Sequence, residues 1–378
     1  MVKAICAYAV VLLHVHFPGN AGIIANVLAR FAVPVFFMVS GYFCFRGDDT
    51  EFIRTGKKIR HVLKLMLVAF PVCCLWELIQ NHIDGASQKE WLEALVSGEH
   101  IRQFLLYNNS SQVKWHLWFL PALLYCYLLF ALAARFRICK QSYVLIPVLL
   151  LIHFGMEEFS TFLFPEKHFR VMQFRNYLFT GFPFFMLGHL IHRHQEKLEA
   201  WFAGKKVFLL YGMAAGGGIA SLLEYRYFGK LELFLGSVFM AVGLFSHCDH
   251  GEKNRKSARA SGSHRSENMH FFIYLFHLCV ADILKDVAVA VGIEKNLLYL
   301  WMRPVMVCVF CDCCGGNVWI WNEDLSEIEE FMVFSYLCAV ILYQNMLKYP
   351  LLISHSTHQE DAGKATGISR FRVKNTET

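Results

Sequence analysis

The chain is poor in charged residues. Asp, Glu, Lys and Arg make up 17% of its 378 residues, whereas a soluble globular chain has about 25%. Hydrophobic residues make up 56% and are gathered in long runs, which is typical of an integral membrane protein and argues against a soluble enzyme. The 35 phenylalanines suit packing in lipid. No interleaving of basic and aromatic residues accompanies them, so we expect no nucleic-acid partner.

Regular cysteine spacing is also missing. Most of the 13 cysteines lie in apolar runs, as Cys73 and Cys279 do, where a thiol packs as a small hydrophobic group. Cys311, Cys313 and Cys314 form one tight group, but no second pair of ligands follows it. We therefore predict neither a disulfide framework nor a metal site.

The chain shows no convincing internal repeat and no soluble domain, but it has many apolar stretches long enough to enter a membrane. We predict an all-α fold, a polytopic transmembrane bundle of about ten helices, or eleven if the run at 331–347 is included. A signal peptide is a poor interpretation of the first stretch, since no small-residue cleavage site follows it. The ten predicted spans are 4–18, 27–45, 60–80, 116–134, 141–155, 176–192, 206–223, 231–247, 269–291 and 297–321.

Basic loops set the predicted orientation. The loops after the second, fourth, sixth and eighth predicted spans are rich in Lys and Arg. Basic loops stay on the cytoplasmic side, so these loops and the N-terminus are predicted to face the cytoplasm. The loops at 81–115 and 156–175 then face outward. The net charge of +6 belongs mostly to the cytoplasmic loops and says little about partners.

Two ionisable residues of the first predicted helix stand out, Lys3 just before the span at 4–18 and His14 within it. Such residues are costly within a membrane and mark candidate functional sites. Eleven helical steps bring both side chains to nearly the same face, about 16 Å apart along the axis. Lys3 then lies at the cytoplasmic interface and His14 deeper, towards the outer half. An interfacial anchor for Lys3 and a carbonyl hydrogen bond for His14 are the alternative interpretations.

The first two predicted spans resemble the start of the integral-membrane acyltransferase 3 family. In that family a basic residue, ten intervening residues and a His are followed by an Arg, a Pro-Phe-Phe segment and a Ser-Gly-aromatic end. The family's basic residue is usually Arg, and Lys lacks the planar fork of the guanidinium. The matching positions here are Lys3, His14, Arg30, Pro34, Phe36, Phe37, Ser40, Gly41 and Tyr42.

Looser matches follow in the family's order until about residue 310. They are WHLWFLPALLYCYLL at 115–129, GFPFFMLGHLI at 181–191, FFIYLFH at 271–277 and RPVMV at 303–307. The sequence after about 310 departs from the family pattern.

The resemblance implies a membrane acyltransferase domain at 1–350, followed by a polar tail at 351–378 that we expect to be disordered. It implies transfer of an acyl group, commonly acetyl, from cytoplasmic acyl-CoA to a carbohydrate hydroxyl. The expected acceptor is a cell-surface polysaccharide or its lipid-linked precursor, and the expected location is the cytoplasmic membrane. The expected donor substrate is acyl-CoA, commonly acetyl-CoA in the family, and no bound cofactor is expected.

Membrane lipids and glycan-assembly proteins are the other expected partners. The alternative function is a transporter or flippase of a glycan or an anionic small molecule. It would predict broken helices at matching places in two halves of the chain, and the sequence shows none.

Two residues are assigned to catalysis. A sugar hydroxyl is a poor nucleophile at neutral pH and needs a base, for which His is the usual residue. We predict that His14 is this base or, alternatively, carries the acyl group transiently. Arg30 lies on the outer side in this topology, nearer to His14 than to Lys3. We expect it to stabilise the oxyanion or contact the acceptor, with an interfacial anchor as the alternative.

Four residues are assigned to the donor. Lys3 is expected to contact the CoA phosphates, Ser40 and Gly41 the pantetheine arm, and His277 another part of CoA. Helix packing is the competing explanation for Ser40 and Gly41, and a hydrogen bond to a buried carbonyl is the competing explanation for His277.

Two residues are assigned to the acceptor. His116 and Trp118 lie where an outward loop enters the fourth predicted span. Trp118 is expected to stack on a sugar, although a Trp at this depth also suits the aromatic belt of the interface.

Overall fold

The computed structural model describes residues 2–45, 51–202, 207–256 and 263–320. All regular secondary structure within these residues is helical, which confirms the predicted fold class. The predicted run at 331–347 and the tail at 351–378 lie outside the described residues.

The described helices are listed here in chain order. They are α1 Val2–His14, α2 Gly19–Ala29, α3 Ala32–Tyr42, α4 Glu51–Ile83, α5 Gln88–Leu95, α6 Gly98–Tyr107, α7 Phe119–Arg135, α8 Leu145–Met156, α9 Ser160–Leu163, α10 Val171–Phe174, α11 Phe182–Arg193, α12 Gln195–Phe202, α13 Val207–Phe228, α14 Leu235–Lys256, α15 Ser263–Val291 and α16 Leu297–Ile320. Short 3₁₀ turns at Trp115–Trp118 and Gln141–Val144 lead into α7 and α8, and a π turn at Tyr177–Gly181 leads into α11.

Three stretches of the described chain are long and apolar enough to cross a membrane: Gly19–Tyr42, Phe52–Ile83 and Trp115–Arg135. Four shorter apolar helices overlap other predicted spans, at Ile5–His14, Gln141–Met156, Leu235–Ser246 and Leu297–Cys311. The apolar helices agree with a membrane protein. The number of ten or eleven spans stays a prediction.

The predicted span at 27–45 differs from the structure, because the chain forms two consecutive helices here instead of one. Helix α2 ends at Ala29 and α3 begins at Ala32. Pro34 has no N–H with which to bond the Arg30 carbonyl, whereas the next residue, Val35, donates to the Phe31 carbonyl at 3.1 Å. The break therefore puts Arg30 at the junction between two helices, where the α-helical hydrogen bonding is interrupted.

Helices α3 and α11 pack with their backbones in close approach. A Cβ atom added at Gly41 would collide with the Phe185 carbonyl, and one added at Gly188 would collide with the Met38 carbonyl. Small residues allow this kind of contact between helices within a membrane. Around it lies an apolar core with fully buried side chains such as Phe37. This core fixes α3 and, with it, the junction between α2 and α3 that carries Arg30.

Substituting Gly41 with Ala should destabilise the protein by about 1–3 kcal/mol, since overpacking forces a shift of the backbone. Gly212→Ala in α13 is the matched control, because nothing lies within 4 Å of a Cβ there. Thermal unfolding in detergent, followed by tryptophan fluorescence, checks both variants. Equal unfolding temperatures for the two variants would show that the α3–α11 contact is not tight.

Candidate active site

A cavity of about 320 Å³ lies beside the C-terminal end of α1. Four other parts of the chain contribute to its lining. They are the junction between α2 and α3, the turn before α7, the segment around α10 and the loop between α13 and α14. The predicted topology places these parts of the chain towards the outer side. Its polar and aromatic lining includes His14, Arg30, Trp115, Trp118, Arg175 and Glu232.

Two arginines share one carboxylate in the cavity wall. Arg30 Nη1 donates to Glu232 Oε2 at 2.9 Å, and Arg175 Nη1 donates to the same oxygen at 3.1 Å. Arg30 Nη2 donates to Asn26 Oδ1 at 3.2 Å, and Arg30 is 8% exposed. A guanidinium this deeply buried needs a charged partner. The Arg30 Nε–H is buried without a hydrogen-bond partner in the described part of the protein.

The carboxylate of Glu232 stays ionised. Glu232 falls within the predicted span at 231–247, but in the structure it lies in the loop between α13 and α14, before the apolar helix Leu235–Ser246. Burial alone would raise its pKa, but Arg175 and Arg30 overcome this effect and lower the pKa to about 2. Glu232 therefore holds both guanidinium groups in the cavity wall at neutral pH.

Two other glutamates hold this loop in place. Glu157 accepts hydrogen bonds from the backbone N–H groups of Glu232 at 2.5 Å and of Leu233 at 3.3 Å. Glu224 accepts from the N–H groups of Leu235 and Gly236 and so caps the N-terminus of α14, where a negative charge is favourable. The position of Glu232 is thus fixed from both sides.

Three histidine rings lie together at the buried wall of the cavity. The ring centroid of His14 lies 5.2 Å from that of His277 and 6.3 Å from that of His116, and the last two are 5.0 Å apart. His14 lines the cavity. His116 and His277 are buried behind it, with exposed fractions of 2% and 0%.

Hydrogen bonds assign the tautomers of the two buried histidines. His116 Nε2 lies 3.0 Å from the Leu275 carbonyl, and His277 Nδ1 lies 2.8 Å from the Tyr274 carbonyl. A carbonyl only accepts, so both of these nitrogens carry hydrogen. The other nitrogens, His116 Nδ1 and His277 Nε2, have no hydrogen-bond partner among the described residues. In the neutral rings each of these nitrogens is an acceptor.

The structure brings part of the predicted site together. His14, Arg30 and Trp118 line the cavity, and His116 lies directly behind His14. Their chemical roles stay predictions.

The residues predicted to bind the donor are more dispersed. Helix α15 begins at Ser263, six residues before the predicted span. His277 therefore lies about 21 Å along the helix from its first residue. It adjoins His14 and bonds backbone carbonyls. Ser40 Oγ donates to the Phe36 carbonyl at 2.9 Å, and Gly41 packs on α11. Neither lines the cavity. Lys3 lies in the first turn of α1, and its side chain is outside the described part of the structure.

Sequence reasoning missed Trp115, Arg175, Lys230 and Glu232, which also line the cavity. Trp115 is adjacent to a predicted site residue, so the WHLW pattern contained a signal for it. Arg175 lies at the end of the predicted outer loop at 156–175, where acidic and basic residues are mixed. Nothing in the sequence shows that Arg175 and Glu232, 57 positions apart, form a pair.

Substituting Glu232 with Gln should lower the stability by about 2 kcal/mol or more at neutral pH, since removal of one partner leaves the buried guanidinium groups without a counter-charge. Because the folded pKa of Glu232 is depressed, its contribution is present above the ordinary value of 4.5 and is lost as the pH falls towards about 2. Unfolding temperatures of wild type and variant should therefore converge over this range.

Glu93→Gln is the matched control, because the Glu93 side chain is 66% exposed on the predicted outer side. Unfolding scans from pH 7 down to pH 2 test the difference. A loss of stability at pH 7 as small as that of the control would show that Glu232 does not hold the cavity wall.

Comparison with known proteins agrees with the resemblance of the first two predicted spans. A family model described as an acyltransferase domain matches residues 1–314. No curated protein and no solved structure matches the chain. The match spans most of the chain and includes His14 and Arg30. The chain therefore belongs to the acyltransferase 3 family, and it is a membrane acyltransferase.

Proposed function

We propose that this protein transfers an acyl group, most simply acetyl, from acyl-CoA to a hydroxyl of a cell-surface polysaccharide or its lipid-linked precursor. The main support is the position of His14. Its imidazole lines a cavity whose wall also carries guanidinium groups and two indole rings. A titratable base next to sugar-sized aromatic surfaces suits the activation of a carbohydrate hydroxyl.

In the direct route His14 acts as the general base. It takes the proton of the acceptor hydroxyl while the hydroxyl oxygen attacks the thioester carbonyl carbon. A C–O bond forms, and the carbonyl electron pair moves onto oxygen. Arg30, whose side chain lines the cavity beside His14, is suited to stabilise this oxyanion. The C–S bond then breaks, and the CoA thiolate takes the proton from the His14 imidazolium.

In the two-step route His14 carries the acyl group. Its unprotonated nitrogen attacks the thioester carbonyl carbon, the C–S bond breaks and CoA leaves as the thiolate. The acceptor hydroxyl oxygen then attacks the acyl carbon, the C–N bond to the imidazole breaks, and the hydroxyl proton passes to the CoA thiolate. The buried pair His116 and His277 suits either route, since their ring centroids lie 6.3 and 5.2 Å from that of His14. Each ring keeps one nitrogen without a hydrogen-bond partner among the described residues. A His14 N–H turned towards this pair leaves the other nitrogen of the ring unprotonated for the reaction.

The donor is proposed to approach from the cytoplasmic side. Lys3 lies at the opposite end of α1 from His14, eleven residues or about 16 Å away. A CoA molecule with its phosphates near Lys3 would have to extend its pantetheine arm along α1 to bring the thioester to His14. The acceptor would enter the cavity from the outer side.

Substituting His14 with Ala should abolish O-acetylation of the surface polysaccharide, because the reaction loses its base or its acyl carrier. We would measure O-acetyl content by NMR in cells that make the wild type, His14→Ala or no protein. His82→Ala is the matched control, since His82 is exposed at the end of α4. All variants must be compared at equal protein levels.

Each outcome of the NMR experiment identifies a different error. An acetyl signal that disappears without the protein but persists in His14→Ala would leave the function and remove the role of His14. Identical polysaccharides in all cells would contradict the proposed reaction and favour the transporter or flippase alternative. Loss of the signal in His82→Ala as well would show that the His14 effect is not specific.

Mass spectrometry separates the two routes. Purified protein incubated with acetyl-CoA and no acceptor should gain one acetyl group on His14 if the two-step route operates, and His14→Ala should gain none. Absence of the adduct in a wild-type sample that transfers acetyl groups when acceptor is added would contradict the two-step route.

A further inference from the structure

The cavity presents more positive charge than the proposed transfer step uses. Its charged lining residues are Arg30, Arg175, Lys230 and Glu232, so three cations face one anion. The Glu232 carboxylate is already shared by both arginines. Glu157 lies near but does not line the cavity, and its oxygens accept from backbone N–H groups and His153. The excess positive charge therefore lies on the cavity side.

Arg175 has donors available for a ligand. Its side chain is 19% exposed, and within the described residues Nη1 alone donates, to Glu232. The guanidinium has further N–H groups in a planar fork that fits a carboxylate or a phosphate. Lys230 lies exposed at the edge of the same cavity and forms no ion pair within the described part of the chain. Arg175 and Lys230 are thus two cationic groups of the cavity with unused donors.

Two indole rings lie next to these cations. The Arg175 guanidinium carbon lies 5.4 Å from the ring centre of Trp115 and 5.5 Å from that of Trp118. Trp115 is 52% exposed, whereas Trp118 is 8% exposed. A cation held against aromatic faces is oriented without losing its hydrogen-bonding edge. A sugar ring stacked on Trp115 would have its substituents within reach of Arg175.

We propose that the acceptor is an anionic glycan, with its carboxylate or phosphate group held by Arg175 and Lys230 and its reactive hydroxyl turned towards His14. This inference rests on the proposed function, since it names the class of acceptor for the same site. A carboxylate would come from a uronic-acid-type sugar. A phosphate would come from a sugar phosphate or from the link between a sugar and its lipid carrier.

Binding of matched small sugars tests this proposal directly. The probes are methyl β-D-glucuronide, glucose 1-phosphate and the uncharged methyl β-D-glucoside, titrated into the full chain in nanodiscs and followed by tryptophan fluorescence. At least one of the anions should bind about tenfold more tightly than the uncharged sugar, as expected for charge-assisted hydrogen bonds. The anion that shows the preference identifies its source.

Substitutions assign the preference to the cavity. Arg175→Gln and Lys230→Gln should each reduce the preference for the anion several-fold, and Arg175→Lys should retain part of it. Lys89→Gln is the matched control, since the Lys89 side chain is 86% exposed on the predicted outer side. This control should keep the wild-type preference. The affinity for the uncharged sugar should change little in any of these variants.

Three results would overturn the proposal. The first is equal binding of all three sugars by the wild type. The second is an anion preference that survives both Arg175→Gln and Lys230→Gln. The third is loss of acetyl-CoA binding, instead of sugar binding, in Arg175→Gln, which would assign these cations to the donor phosphates.

The binding readout separates this proposal from the proposed function. Selective binding of an anionic sugar by a protein that transfers no acyl group would support the anion site and contradict the reaction. Acyl transfer to an uncharged glycan, with no preference among the probes, would support the reaction and contradict the anion site.

Discussion

The shared carboxylate of Glu232 is the interaction on which the site depends. Arg30 lies at the junction between α2 and α3, and Arg175 follows α10. Without a common anion, their two guanidinium groups would repel each other in the cavity wall. Glu232 links both to the loop before α14. The cost of burying these charges is met because each has a partner of opposite sign. The chain thereby joins three segments that are distant in sequence around one cavity.

The backbone supplies the geometry for this ionic cluster. The break before Pro34 places Arg30 at the junction between α2 and α3, and the close approach of α3 to α11 at Gly41 holds α3 in position. Glu157 and Glu224 fix the opposite side of the cavity through backbone N–H groups. Helix breaks with ionisable residues are tolerated at membrane depth where they are buried in protein or line a cavity. The junction at Arg30 meets that condition, because Arg30 is buried and lines the cavity.

Behind the cavity, the histidines differ in their surroundings although they share a residue type. His116 and His277 each donate a hydrogen bond from one ring nitrogen to a backbone carbonyl. The other nitrogen of each ring has no hydrogen-bond partner among the described residues. His14 lines the cavity beside them. The half-buried His14 ring therefore has two polar neighbours that a purely apolar core would lack.

The sequence by itself determined the helical membrane character and drew attention to His14 and Arg30, because both signals are local. Long apolar runs cannot avoid a membrane or a core, and an ionisable residue within such a run is costly wherever the chain folds. Tertiary structure alone decided that Arg175 and Glu232 complete the cavity and that His277 adjoins His14. Each of these contacts joins residues far apart in the chain, and a charged or polar residue near a loop has many candidate partners until packing selects one. Packing also decided that Gly41 of α3 contacts α11 and does not line the cavity.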